Sequence, residues 1–226
     1  IHAEHHTQAN FFTQDDLNLL TLFSNQAAVA VENARLLAET HRYAEEQHLL
    51  YNATRDFTAA LSEEAVLQAI ARHMLTVLHL ADCNILRWDR ANDLVISLLD
   101  NDNTGQNFPR EPGAYDNLDD YPATRHVLEN RQALVIYADD PQADSAERAL
   151  MKQYDYSGLL MVPLFKGEQT FGVIELYRQP PQPAFSASDV QLAQSLAAQA
   201  AVALENARLH ATVKGQVRDL DALLTA

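Results

Sequence analysis

The chain contains the same 27-residue segment twice, and this internal repeat constrains its architecture more than any other feature. Residues 12–38 and 185–211, which lie 173 positions apart, are identical at 14 of 27 positions. Both copies contain the strings QAAVA and ENARL. A spacing of this length is the size of a domain rather than of a solenoid repeat. The sequence therefore predicts that one terminal element of a domain occurs twice.

The two copies differ in what precedes them. Little sequence comes before the first copy, whereas the second copy follows a stretch long enough for a full domain. We predict the end of one module and its linker helix at residues 1–42, a complete domain at 43–211, and an outgoing helix at 212–226. A chain built in this way is expected to be part of a longer modular protein.

Composition excludes several classes of partner. The net charge of −15 opposes binding to nucleic acids and to anionic membrane surfaces, which need basic patches. Hydrophobic residues make up 47% of the chain, enough for a packed core. The single cysteine, Cys83, rules out an internal disulfide, and no apolar run reaches the length of a membrane span. We therefore expect a cytoplasmic protein with no contact to membrane or nucleic acid.

Both copies of the repeat open with a helix-capping pattern. Thr13 is followed three residues later by Asp16, and Ser186 is followed by Asp189. A hydroxyl at the N-cap and a carboxylate three positions on satisfy two helix amides reciprocally. These patterns predict a first helix from Asp15 to about Leu61 and a closing helix that begins at Ser186.

The first helix carries one apolar residue in each of six consecutive heptads. The series consists of Leu22, Val29, Leu36, Tyr43, Leu50 and Phe57. The row four places on is mostly polar, so the pattern fits either a weakened coiled-coil seam or an amphipathic helix on its own domain. A seam predicts a homodimer through the terminal helices. Val213, Val217 and Leu220 extend the same type of spacing along the closing helix.

Between the long helices the hydrophobic period changes to that of strands. A second helix is predicted at Glu63–Leu80, and short helices are predicted at Ala123–Asn130 and Ser145–Tyr154. Strands are predicted at Cys83–Asp89, Leu94–Leu99, Ala133–Tyr137, Gly158–Phe165 and Thr170–Tyr177, and a long loop at Asp100–Pro122. Strands joined as hairpins, with helices set apart from them, indicate an α+β fold with a largely antiparallel sheet.

Four segments resemble the GAF domain family. They are VPL at Val162, GVIEL at Gly172, FSASD at Phe185 and QAAVALENARL at Gln199. The resemblance implies a GAF-like sheet of about six antiparallel strands flanked by helices, with long linker helices at both ends. It also implies a pocket covered by a loop and short helices, tandem domains, and dimerisation through the terminal helices. An output domain such as a histidine kinase or a cyclic-dinucleotide enzyme would lie in the same longer chain.

The sequence departs from two ligand-binding branches of that family. The cyclic-nucleotide signature has an Asn-Lys pair where this chain has Tyr177-Arg178, which counts against cyclic-nucleotide binding. Bilin-binding members attach the pigment through a Cys followed by His, whereas Cys83 is followed by Asn84. Covalent bilin attachment is therefore not expected, and the ligand stays open.

Candidate pocket residues combine charge with aromatic rings. Arg125 and His126 fall on the predicted covering helix, and such groups hold anionic or aromatic molecules. The other candidates are Trp88, Tyr115, Tyr121, Tyr137, Tyr156 and Met161. The alternative interpretation is a surface Arg, a solvated His and rings that fill the wall. Glu175, the one charge in its strand, is predicted to face solvent on the far side of the sheet.

The predicted loop also carries a spacing similar to that of a calcium-binding loop. Asp100, Asp102 and Glu111 occupy three ligand positions, but a strand rather than a helix precedes them, so the favoured interpretation is an ordinary acidic loop. No metal site is predicted on this basis. Since catalytic motifs are also missing from the sequence, we expect a sensory module that binds a small molecule and relays its state through dimeric helices. A ligand-free dimerisation module is the alternative.

Overall fold

The computed structural model describes residues 1–4, 11–60, 62–102 and 111–224. Side chains are described as far as residue 214 and at residue 216, apart from that of Asp102. The chain divides into two compact units, Ile1–His48 and Leu49–Ala226. Among the described helices, none combines the length and the apolar composition needed to cross a bilayer.

Five α-helices and six strands make up the described chain. The helices are α1 Gln14–Ala59, α2 Glu63–Val77, α3 Pro122–Asn130, α4 Ser145–Gln153 and α5 Ala187–Leu224. The strands are β1 Asp82–Asp89, β2 Leu94–Asp102, β3 Tyr115–Asn117, β4 Leu134–Tyr137, β5 Gly158–Lys166 and β6 Gln169–Arg178. A short 3₁₀ helix, Leu118–Asp120, precedes α3.

The strands form one antiparallel sheet in the order β3-β2-β1-β6-β5-β4. This confirms the predicted α+β fold with a six-stranded sheet and long helices at both ends. The predicted loop Asp100–Pro122 was too long, because β2 continues to Asp102 and β3 lies within that range. Residues 103–110 lie outside the described part of the chain.

Alternating residues of the central strands face two different layers. Ile85 on β1 and Ile174 on β6 belong to a core formed with α2 and α5. Leu86 on β1 and Val173 on β6 belong to a second core formed with α3 and α4. Since side chains alternate between the faces of a strand, the same two strands contribute to both cores. The sheet therefore separates a long-helix layer from a short-helix layer.

Both predicted capping boxes are present. The Asp16 amide donates to Thr13 Oγ1 over 3.2 Å, and the Thr13 amide donates to the Asp16 carboxylate over 2.8 Å. The Asp189 amide and Ser186 Oγ are 3.1 Å apart, and the Ser186 amide donates to Asp189 over 2.9 Å. Each box satisfies two amides that a helix start leaves without partners. The repeated sequence thus encodes the same local structure at the start of α1 and of α5.

The heptad series of α1 has two different environments. Leu22, Val29, Leu36 and Tyr43 are each 47% to 64% exposed in the single chain. Leu50, in contrast, packs against the core of α2 and α5, and Phe57 is buried inside that core. This corrects the expectation that Phe57 lies in a dimer seam, because its ring packs inside the core of its own domain and is not available to a second chain. The side chains of Val217 and Leu220 lie outside the described residues, and Val213 is exposed.

Arg178, at the end of β6, joins three parts of the domain. Its guanidinium donates hydrogen bonds of 3.0 to 3.1 Å to the carbonyls of Pro183, Ala184 and Leu78. It also pairs with Asp189 in the first turn of α5 at 3.2 Å. The side chain is buried, and charged donors with several acceptors form strong contacts when they are shielded from water. Arg178 therefore ties the start of α5 and the end of α2 to the sheet.

Gly172 allows β1 and β6 to approach each other closely. A Cβ atom at this position would lie 1.9 Å from the backbone oxygen of Leu86, a distance that backbone atoms cannot accommodate without movement. Gly172 is thus required by the pairing of the two strands at the centre of the sheet.

Substituting Gly172→Ala is expected to lower the free energy of unfolding by about 2 kcal/mol, because the strands must separate to admit the methyl group. Urea unfolding followed by circular dichroism measures this change. Gln169→Ala, at an exposed position of the same strand, is the matched control and should change stability by less than about 0.5 kcal/mol. Equal stability of both variants would contradict the assignment.

Candidate functional site

A cavity of about 150 Å³ lies between the sheet and the layer that contains α3 and α4. Asn84 on β1 and Glu175 on β6 form part of its floor, and Thr124 on α3 and Glu147 on α4 form part of its cover. The cavity therefore sits on the opposite face of the sheet from α2 and α5. Its position matches the pocket that the resemblance implied.

The lining of this cavity is acidic. Its carboxyl groups belong to Asp82, Asp100, Asp116, Glu147 and Glu175. Among the described lining residues there is no Lys or Arg. Glu175 is only 6% exposed, so the prediction that it faces solvent was wrong: the sheet face that carries it is covered by α3 and α4.

Phenol groups hold two of these carboxylates in place. The Tyr156 hydroxyl donates to Asp82 Oδ2 over 2.7 Å, and the Tyr177 hydroxyl donates to Glu175 Oε2 over 3.0 Å. The rings of Tyr156 and Tyr177 stack with their centroids 4.6 Å apart. Burial, followed by the charge of Glu175, raises the pKa of Tyr177 well above its usual value, so this phenol remains a hydrogen-bond donor.

Asn84 bridges the floor of the cavity. Its Nδ2 group donates to Glu175 Oε2 over 3.4 Å, and the residue is 6% exposed. Within the described chain its Oδ1 atom is buried and has no hydrogen-bond partner. A buried carbonyl oxygen without a donor is rare in folded proteins.

Glu147 joins the two covering helices and is only 2% exposed. Its Oε1 accepts a hydrogen bond of 3.1 Å from Thr124 Oγ1 on α3. Burial, with the nearby charge of Glu175 as the second cause, raises the pKa of Glu147 to about 8. At neutral pH Glu147 is therefore mostly protonated.

Two of the predicted pocket residues line the cavity and one lies beneath its cover. Tyr121 and Tyr156 are part of the lining. Met161 is fully buried, with its Sδ atom 3.9 Å from Thr124 Oγ1. Sequence reasoning found these two tyrosines and considered Asp100 only as a calcium ligand, but it missed the other four carboxylates of the lining and Asn84. For Asp82, Asn84 and Glu175 the available signal was their position on alternate residues of β1 and β6. Asp100, Asp116 and Glu147 lie on β2, β3 and α4.

Arg125 and His126 do not line the cavity. Arg125 forms a two-bond ion pair with Asp93, at 2.6 and 3.1 Å, and contacts Asp119 at 2.8 Å. These carboxylates occupy its guanidinium and raise its pKa, with Asp93 as the main cause. His126 is exposed and contacts Asn130 on its own helix.

The other three aromatic candidates lie away from the cavity lining. Tyr115 on β3 is 68% exposed. Trp88 packs at the edge of the second core, with the Arg90 guanidinium 4.2 Å from its ring centre. Tyr137 lines a separate groove beside β4, and its hydroxyl reaches the carbonyl oxygen of Phe185 at 3.5 Å. These rings were predicted to lie near the pocket because their segments are close to it in the sequence. In the structure, their positions on the strands place them outside the cavity lining.

The acidic spacing considered for calcium does not form a described site. Asp100 lines the cavity and Glu111 is exposed, while the side chain of Asp102 and residues 103–110 lie outside the described residues. In the part of the chain that the structure describes, no group of three or more His, Cys, Asp or Glu side chains is arranged to hold a metal ion. Cys83 is buried in the α2 and α5 core.

The proton on Glu147 predicts a pH dependence of stability. Because its folded-state pKa of about 8 lies above the ordinary value of 4.5, the folded chain retains a proton that the unfolded chain has lost between these pH values. The stability of the wild type should therefore fall as pH rises from 5 to 8, relative to Glu147→Gln, by about 1.4 kcal/mol per pH unit at most. Urea unfolding at several pH values measures the difference. Parallel pH profiles for the two proteins, with Glu168→Gln as the exposed control, would contradict a protonated Glu147.

Comparison with known proteins places the fold in a family. No curated protein matches the chain. It is similar to the GAF domain of a phosphoenolpyruvate-protein phosphotransferase from Coxiella burnetii, with a TM-score of 0.60 and 16% identity over 74% of this chain and 96% of that one. The phycoerythrobilin-bound GAF domain of a cyanobacterial phytochrome gives a TM-score of 0.61 and 15% identity over 73% and 96%. A GAF domain/HD domain protein from Geobacter sulfurreducens gives 0.53 and 18% over 66% and 95%.

These similarities show the fold alone, because the identities are low. The sequence profile of the GAF domain matches residues 62–204, which is well over half of the chain. That range runs from the N-cap of α2 through the whole sheet and well into α5. The chain belongs to the GAF domain family, whose members are sensory and regulatory modules of signalling proteins.

Proposed function

We propose that this chain is the sensory part of a larger cytoplasmic signalling protein, with a small molecule bound in the acidic cavity as its input. Its output passes through α1 and α5 of a homodimer to a domain elsewhere in the same longer chain. In this proposal the chain has no catalytic activity of its own. The observation that carries it is the position of the cavity on the same strands that support α2 and α5.

The central strands provide a direct connection between the cavity and the helices. Asn84 faces the cavity, and its neighbours Cys83 and Ile85 pack on the opposite face in the core of α2 and α5. On β6, Glu175 lies between Ile174 and Leu176 in the same way. A molecule that moves the cavity residues must therefore shift residues that contact the long helices, since interiors are closely packed.

The exposed apolar residues of α1 support association with a second copy. Leu22, Val29 and Leu36 recur every seven residues and remain about half exposed in the single chain. An apolar series at this spacing is buried when two helices pair. On α5, Leu209 and Val213 are also exposed and line a shallow groove with Phe57.

Native mass spectrometry of the purified chain tests ligand and dimer together. A dimer that carries one additional small mass per chain is the expected result. Amide hydrogen exchange with and without that molecule should then differ in α5 between residues 187 and 204, because these residues pack on the sheet. A monomer at the sequence mass would contradict the proposal.

Leu36→Asp is expected to weaken the dimer by about 100-fold or more, because each chain would lose a buried leucine contact and place a charge in the seam. Sedimentation equilibrium measures the dissociation constant. Leu37→Asp, one residue further and also exposed, is the matched control and should leave the dimer largely intact. Circular dichroism should show an unchanged fold in both variants. Equal weakening by the two substitutions would argue against a heptad seam.

A ligand-free dimerisation module is the second candidate function. Fully buried Met161 beneath Thr124 favours it, as does a cavity below the size of ordinary drug-binding pockets. In that case the dimer would show no additional mass. Adding the low-molecular-weight fraction of a cell extract would also leave hydrogen exchange in α5 unchanged. The two functions are therefore separated by the same experiments.

A further inference from the structure

We infer that the cavity binds a small organic ammonium ion, with Glu147 as its counter-ion and Asn84 Oδ1 as an acceptor for one of its N–H groups. This inference rests on the proposed ligand-binding function and names the chemical class of the ligand. Asn84 lies on the floor of the cavity and Glu147 lies in its cover, so a molecule between them would contact both.

Glu147 can lose its proton and become negatively charged when a cation binds beside it. Among the described residues, Thr124 Oγ1 donates a hydrogen bond to Glu147 Oε1, and the side chain of Glu147 is almost fully buried. A buried carboxyl without a cation keeps its proton, whereas a cation nearby favours the carboxylate. An arriving ammonium ion would therefore replace the proton of Glu147, which leaves to solvent, so the net charge of the cavity would stay the same.

Asn84 provides the second, independent indication of a ligand. Its side chain is 94% buried and its Nδ2 atom is engaged with Glu175, but Oδ1 has no donor within the described chain. A buried amide oxygen recovers the cost of leaving water when it accepts a hydrogen bond. An ammonium group has three N–H donors, so it can serve Asn84 and Glu147 at once.

The size and walls of the cavity restrict the ligand further. A volume of about 150 Å³ is similar to that of an apolar cavity that holds benzene, which corresponds to roughly six non-hydrogen atoms. Tyr121 and Tyr154 add aromatic surface to the lining, and aromatic rings attract organic cations. A primary amine with a short apolar chain fits these conditions.

Anions and metal ions fit the described residues less well. The described lining contains carboxylates and no Lys or Arg, so none of its described side chains would offset the charge of an anion. A divalent metal needs several ligands at short range, and no such group of three is arranged within the described chain. An ammonium ion, in contrast, needs one counter-charge and an acceptor.

Binding of this kind is linked to pH. The charged and titratable groups that face Glu147 are Asp82, Asp100, Asp116, Asp144, Glu175 and Tyr177, together with the other tyrosines of the lining. Because Glu147 is mostly protonated below pH 8, the ligand must displace that proton. Affinity should therefore rise about tenfold per pH unit between pH 6 and 7 and level off above pH 8. Alkylammonium ions stay protonated across this range.

Calorimetric titration of the full chain with n-butylammonium tests the inference, with 1-butanol and butanoate as probes of matched size. We expect one site per chain, binding of the ammonium at least tenfold tighter than that of the alcohol, and none of the carboxylate. At pH 6.5 the measured enthalpy should vary with the ionisation enthalpy of the buffer and report the release of close to one proton.

Two variants separate the roles of the residues. Glu147→Gln keeps the shape and the bond from Thr124, and should weaken ammonium binding at least tenfold at pH 8 and abolish both its pH dependence and its proton release. Asn84→Leu removes the acceptor and should weaken ammonium binding at all pH values while proton release persists. Glu168→Gln, at an exposed position, is the control and should behave as the wild type. Urea unfolding confirms that each variant is folded.

The outcomes distinguish this inference from the proposed function. A neutral or anionic molecule found by mass spectrometry, with no binding of n-butylammonium, overturns the ammonium site and leaves the sensory function standing. The absence of any bound mass and of ammonium binding overturns both. Ammonium binding that is unchanged in Glu147→Gln and Asn84→Leu shows adventitious binding elsewhere and also overturns the inference.

Discussion

The pairing of β1 with β6 is the contact on which the rest of this domain depends. The two strands run side by side from Asp82 opposite Tyr177 to Arg87 opposite Gly172. They lie at the centre of the sheet, so each supplies residues to the core of α2 and α5 and to the layer of α3 and α4. A displacement of either strand would therefore disturb both layers at once. The close approach of the two strands is possible because Gly172 has no side chain.

The same strands explain how an acidic cavity exists in a stable fold. Burying a carboxylate costs free energy unless hydrogen bonds or counter-charges offset it. Tyr156 and Tyr177 supply donors to Asp82 and Glu175, and Glu147 avoids the cost by retaining a proton. The stability of the domain therefore depends on the charge of this cavity, because the residues that line it also belong to two helices and two strands that pack together.

The sequence was most informative where local chemistry determines structure. The caps at Thr13 and Ser186 and the hairpin of β5 and β6 follow from short patterns, and the structure confirms them. Strand β3 was missed because three residues within a segment rich in Asp, Asn and Gly give no period to detect. Its pairing with β2 is a tertiary effect.

The cavity was harder to predict because it depends on what covers each face. Alternation along β6 correctly sets Glu175 apart from Ile174, but it does not reveal that α3 and α4 lie over that face. Arg125 resembled a ligand contact because the sequence does not show which carboxylates pair with it. Asp93, which lies in the turn between β1 and β2, contacts Arg125 only in the folded chain. Residues distant in sequence thus decide which charges are available.

The anchoring of α5 by Arg178 has a mechanical consequence. The helix is fixed to the sheet in its first turn, whereas its 38 residues extend over about 57 Å. Among the residues whose side chains the structure describes, Ala207 is the last buried residue of α5, and Arg208 beside it pairs with Glu63 on α2 at 2.8 Å. Residues from Ala193 to Ala207 also pack in the core, so a tilt of α5 about its first turn requires this stretch to repack. A tilt of about 5° would move the far end of the helix by roughly 5 Å, close to one helical turn. A small tilt of α5 on the sheet would therefore produce a much larger displacement at the end of the helix than beside Arg178.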